Sequence, residues 1–280
     1  MKVRVTVLAE NSVFSNLGAI AEHGWSVFLE TDNGNFLFDT GQGLALPNNA
    51  RVFRKDLASL DAIMLSHHHS DHTGGLLAAL QQTAKKPLPV YAHAGLFNCS
   101  YISRGGGKYI GVPFRREALE SAGAEFRFNT ACTEIAPQLY LSGEIPRRTP
   151  YETGDADLCL KTATGLVKDP VTDDQSVIIT TDKGLFVILG CAHAGIINIL
   201  MHARQVTGVE HIHTVIGGTH LWPVSSEQQE QSLQALAAMD IERIGVSHCT
   251  GFAMSMRLAQ LFGDRFFPCN VGTVVEMQAG

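Results

Sequence analysis

Residues 66–75 read Ser-His-His-His-Ser-Asp-His-Thr-Gly-Gly and follow directly on the apolar run 62–65. The run reads as a short strand, and Gly74-Gly75 opens an apolar helix through Leu80. A strand that ends in a crowd of imidazoles and a carboxylate is costly unless something binds them. His67, His69, Asp71 and His72 make the spacing H-x-H-x-D-H. Positions i and i+2 of extended chain face the same side, so His67 and His69 converge on one cation. Asp71 and His72 lie just past the strand end, where the chain turns and can face a neighbouring position. His68, between the two ligand positions, faces away. Imidazole nitrogens with one carboxylate oxygen suit Zn²⁺, with Fe or Mn as alternatives. An ordinary polar loop is the bland reading, and so dense a cluster of histidines counts against it.

The segment Thr31-Asp32-Asn33-Gly34-Asn35-Phe36-Leu37-Phe38 has a counterpart in Thr181-Asp182-Lys183-Gly184-Leu185-Phe186-Val187-Ile188. Both read as strand, T-D-x-G turn and apolar strand, with glycine supplying the positive φ of a hairpin. Each runs on into a glycine-containing loop with a candidate site residue, Asp39 in the first and His193 in the second. The recurrence predicts two related αβ halves that face each other with the site at their seam. The first half spans residues 1–93, with strands near 2–8, 25–31, 35–39, 61–65 and 89–92 and helices near 46–54 and 75–83. The second spans 171–280. It has strands near 176–181, 185–190, 213–217, 243–247 and 271–277 and helices near 195–205, 225–239 and 253–262. Residues 94–170 fall outside that plan. A flexible glycine loop at 103–108, a helix at 114–122 and strands at 125–128 and 138–142 predict an inserted α+β subdomain. It roofs the site, joins two subunits as a homodimer, or does both.

At 280 residues and 45% hydrophobic, the chain can bury a sizeable core. The net charge of −6, with no basic run beyond two residues, argues against nucleic acid as a partner. A small-molecule substrate is expected, its anionic groups neutralised locally. The N-terminus alternates valine with polar residues and lacks a signal-peptide core, and no apolar run would span a bilayer. A soluble cytoplasmic protein follows as the expectation. The six cysteines form no C-x-x-C pair. Most read as small buried hydrophobes. Cys191 and Cys249 each stand within two residues of a candidate histidine. A supporting role there ranks ahead of a thiolate ligand.

The H-x-H-x-D-H cluster, together with Phe38-Asp39-Thr40-Gly41, resembles the metallo-β-lactamase fold superfamily. Gly190-Cys191-Ala192-His193-Ala194-Gly195, Gly217-Gly218-Thr219-His220-Leu221, Ser247-His248-Cys249-Thr250-Gly251 and Asp173-Asp174-Gln175-Ser176 are similar to a narrower subgroup. That subgroup carries the label dihydropteroate-synthase-like, or 7,8-dihydropterin-6-methyl-4-(β-D-ribofuranosyl)aminobenzene-5′-phosphate synthase. The resemblance implies a four-layer αββα sandwich. It also implies that Asp39 supports the metal ligands, and that His193 and His248 join His67, His69, Asp71 and His72 in holding one or two ions. His220 belongs nearer the substrate. The superfamily's usual bridging aspartate is expected near Cys191, where none stands, so His193 takes over first-metal duty and Asp173 or Asp174 offers an acidic contact. His211 and His213 repeat the H-x-H spacing at a polar strand start, and His202 and His23 read as structural or solvated.

A metal ion acidifies a water and polarises a carbonyl or phosphoryl oxygen. Those two functions predict a metal-dependent hydrolase of a small phosphorylated or acyl compound. Asp71 would orient the water and accept its proton, and His220 would join it in catalysis. Arg104, Lys108 and Thr250 would contact substrate. Three readings compete with this one. They are the pterin-condensing synthase of the subgroup label, an oxygen-using iron protein, and a metal-stabilised binding protein without turnover. No G-x-S-x-G elbow or phosphate-binding P-loop offers a different chemistry.

Overall fold

The computed structural model describes residues 2–14 and 18–277. The two T-D-x-G segments form matching hairpins. Strand Ser26–Thr31 pairs antiparallel with Gly34–Phe38, and Val177–Thr181 pairs antiparallel with Gly184–Ile188. In both turns the threonine hydroxyl donates to the glycine carbonyl, Thr31 Oγ1 at 3.0 Å and Thr181 Oγ1 at 2.7 Å. Gly34 and Gly184 take φ of 133° and 113°, which a side chain would resist.

Each hairpin is then extended by three parallel strands. In the first sheet these are Leu60–Met64, Leu88–Ala92 and Ala124–Phe128. In the second they are Ile212–Gly218, Ile241–Ser247 and Phe266–Pro268. Val3–Ala9 and Val274–Met277 complete the first sheet at seven strands. Leu139–Leu141 and Thr133–Ala136 complete the second, also at seven.

The two sheets pack face to face. Val5, Val27, Phe36 and Phe38 of one meet Leu139, Val177, Ile179 and Phe186 of the other in a common core. Successive side chains of a strand point to opposite faces. Leu37, Ile63 and Val90 therefore turn outward onto Leu46, Leu76 and Leu80 of helices Ala45–Val52 and Leu76–Gln82. Leu185, Val187 and Ile244 do the same onto helices Ile196–Thr207, Ser226–Ala238 and Phe252–Phe262. Burial on both faces is what makes these strands continuous apolar runs. The result is the expected four-layer αββα sandwich.

The predicted insert needs correction. The strands expected near 125–128 and 138–142 exist but belong to the sandwich. Ala124–Phe128 is the edge of the first sheet, and Leu139 and Leu141 are buried between the two sheets. What stands apart is a four-stranded sheet in the order Gly165–Lys168, Leu158–Thr162, Ser100–Ile102, Lys108–Tyr109. Between its last two strands, 104–107 is a single helical turn, not the expected loop. No helix among the described residues is long and apolar enough to cross a membrane.

Candidate metal centre

The site residues leave the C-terminal ends of the parallel strands. Asp39 follows Phe38, the 66–72 loop follows Met64, Cys191 and His193 follow Ile188, His220 follows Gly218, and His248 follows Ser247. Four of the non-glycine residues at these exits take left-handed backbone. They are Asp39 (φ 57°), Ala192 (59°), His220 (49°) and His248 (52°). Such conformations are held only where the surroundings over-determine them, and they cluster at functional sites.

Hydrogen bonds fix three imidazoles from behind. His72 Nδ1 lies 2.7 Å from Asp39 Oδ2, and that carboxylate also accepts from Ser66 N and Ser66 Oγ at 2.7 and 2.6 Å. With its proton given to Asp39, Ser66 Oγ can accept from His67 Nδ1 at 2.8 Å. His248 Nδ1 meets Asn11 Oδ1 at 2.9 Å, and His248 N donates to Glu10 Oε1 at 2.7 Å. A neutral ring that donates through Nδ1 carries its lone pair on Nε2. When neutral, His67, His72 and His248 therefore aim three lone pairs into one space.

Two groups of donor atoms result. His67, His69 and His193 form one, with His67 Nε2 at 2.9 Å from His69 Nδ1 and 3.2 Å from His193 Nε2. Asp71, His72 and His248 form the other. His248 Nε2 is 3.3 Å from His72 Nε2 and 3.2 Å from Asp71 Oδ2. Facing lone pairs at 3.3 Å call for a proton or a cation between them. His69 Nε2 and His193 Nδ1 are buried without a hydrogen-bond partner. This donor set fits a borderline transition metal.

Electrostatics divide the cluster. Burial first, then the charges of neighbouring histidines, hold His67, His69 and His193 well below the usual imidazole value. Burial would lower His72 too, but the carboxylates of Asp39 and Asp71 push it up to about 9. Burial raises Asp71, yet the charge of His72 and hydrogen bonds from His23 and His248 outweigh it and keep the carboxylate ionised.

A cavity of about 630 Å³ opens above this floor. His69, Asp71, His193, His220 and His248 line its base. Arg104, on the helical turn, and Lys108, on the strand that follows it, also line the cavity, with Arg104 3.5 Å from Asp157. The expected binding pair thus lines the same space as the histidines. Thr250, the third expected substrate contact, does not. It is fully buried, and its hydroxyl accepts from Thr219 N at 3.1 Å, tying two site loops together. His220 packs at a tilt against His193, with ring centroids 4.1 Å apart, and faces Asp155 at 3.8 Å. Burial lowers His220, but Asp155 and Cys249 raise it to about 9.

Asp173 and one oxygen of Asp174 are engaged elsewhere, while Asp174 Oδ1 is buried without a hydrogen-bond partner. Asp173 Oδ2 accepts from His68 N at 2.8 Å and meets His68 Nδ1 at 2.6 Å, so His68 does face away from the cluster. Asp174 Oδ2 accepts from Ala194 N at 2.8 Å. His211 is held at the surface by Asp240 at 2.7 Å. His23, expected to be structural or solvated, instead lies 3.2 Å from Asp71 and against the His248 ring. Glu10, Asn11 and Asp155 escaped the sequence reading because no local pattern surrounds them. Trp222 and Phe252, largely exposed at the cavity, escaped it too.

Residues 20–248 match the metallo-beta-lactamase superfamily. The chain belongs to that superfamily. It is 27% identical to the 7,8-dihydropterin-6-methyl-4-(beta-D-ribofuranosyl)-aminobenzene-5′-phosphate synthase of Methanocaldococcus jannaschii, across 98% of this chain and 96% of the relative. An uncharacterized protein of the same organism is 31% identical across 97% and 99%. Among solved structures, a metal-dependent hydrolase of the beta-lactamase superfamily superposes with a TM-score of 0.84 at 27% identity, covering 99% of both chains.

Proposed function

We propose that the chain is a metal-dependent hydrolase acting on a small phosphorylated or acyl compound, at a centre of one or two ions with zinc favoured. The observation that carries this reading is the meeting of an all-histidine donor group and a histidine–carboxylate donor group at the floor of one cavity. His67, His69 and His193 would hold one ion, and Asp71, His72 and His248 a second. A metal bound there would supply Lewis acidity and a water acidic enough to act near neutral pH. Asp71, kept ionised by His72, His23 and His248, can orient that water and take up its proton. His220, held protonated beside Asp155, can return a proton to the leaving group. Arg104 and Lys108 can meet an anionic group from above.

The relative named as a synthase supports a second reading, a pterin condensation in which the same cations receive a departing pyrophosphate. Two measurements on protein purified without chelator separate the readings. Elemental analysis should find one or two transition-metal ions per chain. A panel of phosphodiesters, phosphomonoesters and carboxylic esters should include at least one hydrolysed in a chelator-sensitive way. Condensation of a pterin pyrophosphate with an aromatic amine, and no hydrolysis across the panel, would replace the hydrolase reading with the synthase one.

A further inference from the structure

His68 turns away from the metal floor and takes no part in the chemistry there. It is buried against two carboxylates, Asp169 and Asp173, that are buried as well. A buried imidazole between two buried carboxylates is costly to assemble, and removing one partner costs more still. Asp173 Oδ2 holds the ring from one side, at 2.6 Å from Nδ1. On the other side, Nε2 lies 3.3 Å from Asp169 Oδ2, at ion-pair distance but without hydrogen-bond alignment. Asp169 in turn grips the small sheet. Its Oδ2 accepts from Ser100 Oγ at 2.9 Å, and its N donates to Leu158 O at 2.8 Å. Ser100 and Leu158 open the two inner strands of that sheet. A backbone clasp lies close by, where Ser70 N donates to Ile110 O at 2.7 Å and Ile110 N to Ser100 O at 2.9 Å. No strand of the small sheet pairs with a strand of either large sheet. Its place over the metal loop therefore depends on contacts such as these.

We propose that His68 is a positioning residue that, through Asp169 and Ser100, fixes the small sheet against the metal loop and so sets the reach of Arg104 and Lys108 to an anionic group of the substrate. This rests on the metal centre and the anionic substrate proposed above. Arg104 and Lys108 stand on the turn and strand that follow Ser100–Ile102, so a shift of that strand carries both cations with it. The alternation of extended chain that turns His67 and His69 toward the metal turns His68 outward, onto Asp169. One short loop thus holds the metal with two side chains and the substrate wall with the one between them. A rigid ring with a nitrogen at either end can span carboxylates from two separate segments, which a single hydroxyl or amine does less well. Displacing a positioning group by about 1 Å can cost on the order of 100-fold in its effect.

The test is calorimetric binding of inorganic phosphate to the zinc-loaded full chain, arranged as a double-mutant cycle. One arm is Asp169→Asn, which keeps an acceptor for Val171 N but loses the carboxylate that faces His68. The other arm is Arg104→Ala combined with Lys108→Ala. Asp169→Asn alone should weaken phosphate binding about ten-fold, and by less than about two-fold once Arg104 and Lys108 are gone. Zinc content should stay the same throughout the cycle. His68→Gln should weaken phosphate in the same way as Asp169→Asn. Circular dichroism of each variant shows whether it has folded. Ser100→Ala, which removes only the hydroxyl given to Asp169, carries the cycle if Asp169→Asn has not. An equal loss of phosphate affinity in both backgrounds, or a loss of zinc from Asp169→Asn, would mean that the pin acts on the metal loop itself and overturns the proposal. Unchanged phosphate affinity in Asp169→Asn overturns it too, as does zinc-loaded wild-type protein that binds no phosphate, and each of these leaves the metal centre standing. Wild-type protein that takes up no zinc overturns both.

Discussion

An imidazole tethered through one nitrogen has only the other to offer, and that separates the working histidines from the rest. His67, His72 and His248 are tethered to Ser66, Asp39 and Asn11, with Nε2 facing the cavity floor. His211 spends both nitrogens on surface carboxylates, Asp240 at 2.7 Å and Glu242 at 3.5 Å. His69→Ala should therefore cost metal affinity by at least about ten-fold, together with activity. His211→Ala should change neither. Metal content by mass spectrometry beside kcat/KM checks the pair, and equal losses in both variants would show the histidines to be ranked wrongly. Asp39→Asn keeps the shape but weakens the acceptor of His72 Nδ1. Metal affinity should fall by about 10–100-fold, as for other outer partners of ligand histidines, and competition with a chromophoric chelator measures it.

The elements around the site are fixed by groups distant in sequence. Helix Ile196–Thr207 starts three residues after His193 and has no cap of its own. Glu152 supplies one, accepting from Ile197 N and Asn198 N at 2.9 Å each and from Thr149 Oγ1 at 2.9 Å. Glu152→Ala should lower stability by about 1–2 kcal/mol, read by denaturant unfolding, and loosen metal binding through the adjoining His193 loop. The small sheet makes a separate claim. Arg104 and Lys108 line the cavity from it. Replacing both with Ala should raise KM for a phosphorylated substrate and leave metal content unchanged. If light scattering instead reports a change of mass while kinetics per site hold steady, that sheet joins subunits and does not roof the site.

At the scale of the molecule, burying so many histidines makes folding of the metal-free chain depend on pH in both directions. His67, His69 and His193 are lowered, so below the ordinary value of about 6.5 the unfolded chain takes up protons that the fold refuses. Their contribution is fully present above that value and is lost as pH falls. His68, His72 and His220 are raised to about 10, 9 and 9. Their contribution is complete below the unfolded value and is lost as pH rises through those figures. Asp174, raised by burial to about 7, opposes the acid limb, but with one proton against three. Thermal unfolding of chelated protein should show greatest stability near pH 6.5, falling on either side. A stability that rises steadily into the alkaline range would contradict this picture. Restoring metal should raise the midpoint at neutral pH, since the assembled donor groups bind it in preference to the unfolded chain.

The halves of the sandwich were legible in the sequence because their signals are local. A period-two apolar strand, a T-D-x-G turn and an H-x-H-x-D-H exit each lie within about ten residues, where backbone geometry alone relates the side chains. The same local geometry set His67 beside His69 and turned His68 away. What tertiary structure alone decided depends on pairs far apart in the chain. Leu139 and Leu141 read as part of an insert until Val177–Thr181 is seen beside them. Glu10 and Asn11 acquire a role only because His248 returns to them across more than two hundred residues. Cys191 comes within 3.1 Å of His72 only because Gly190 and Gly218 let their loops approach each other. Such contacts arise where separate strand ends meet at a seam, and no periodicity along the chain encodes that meeting.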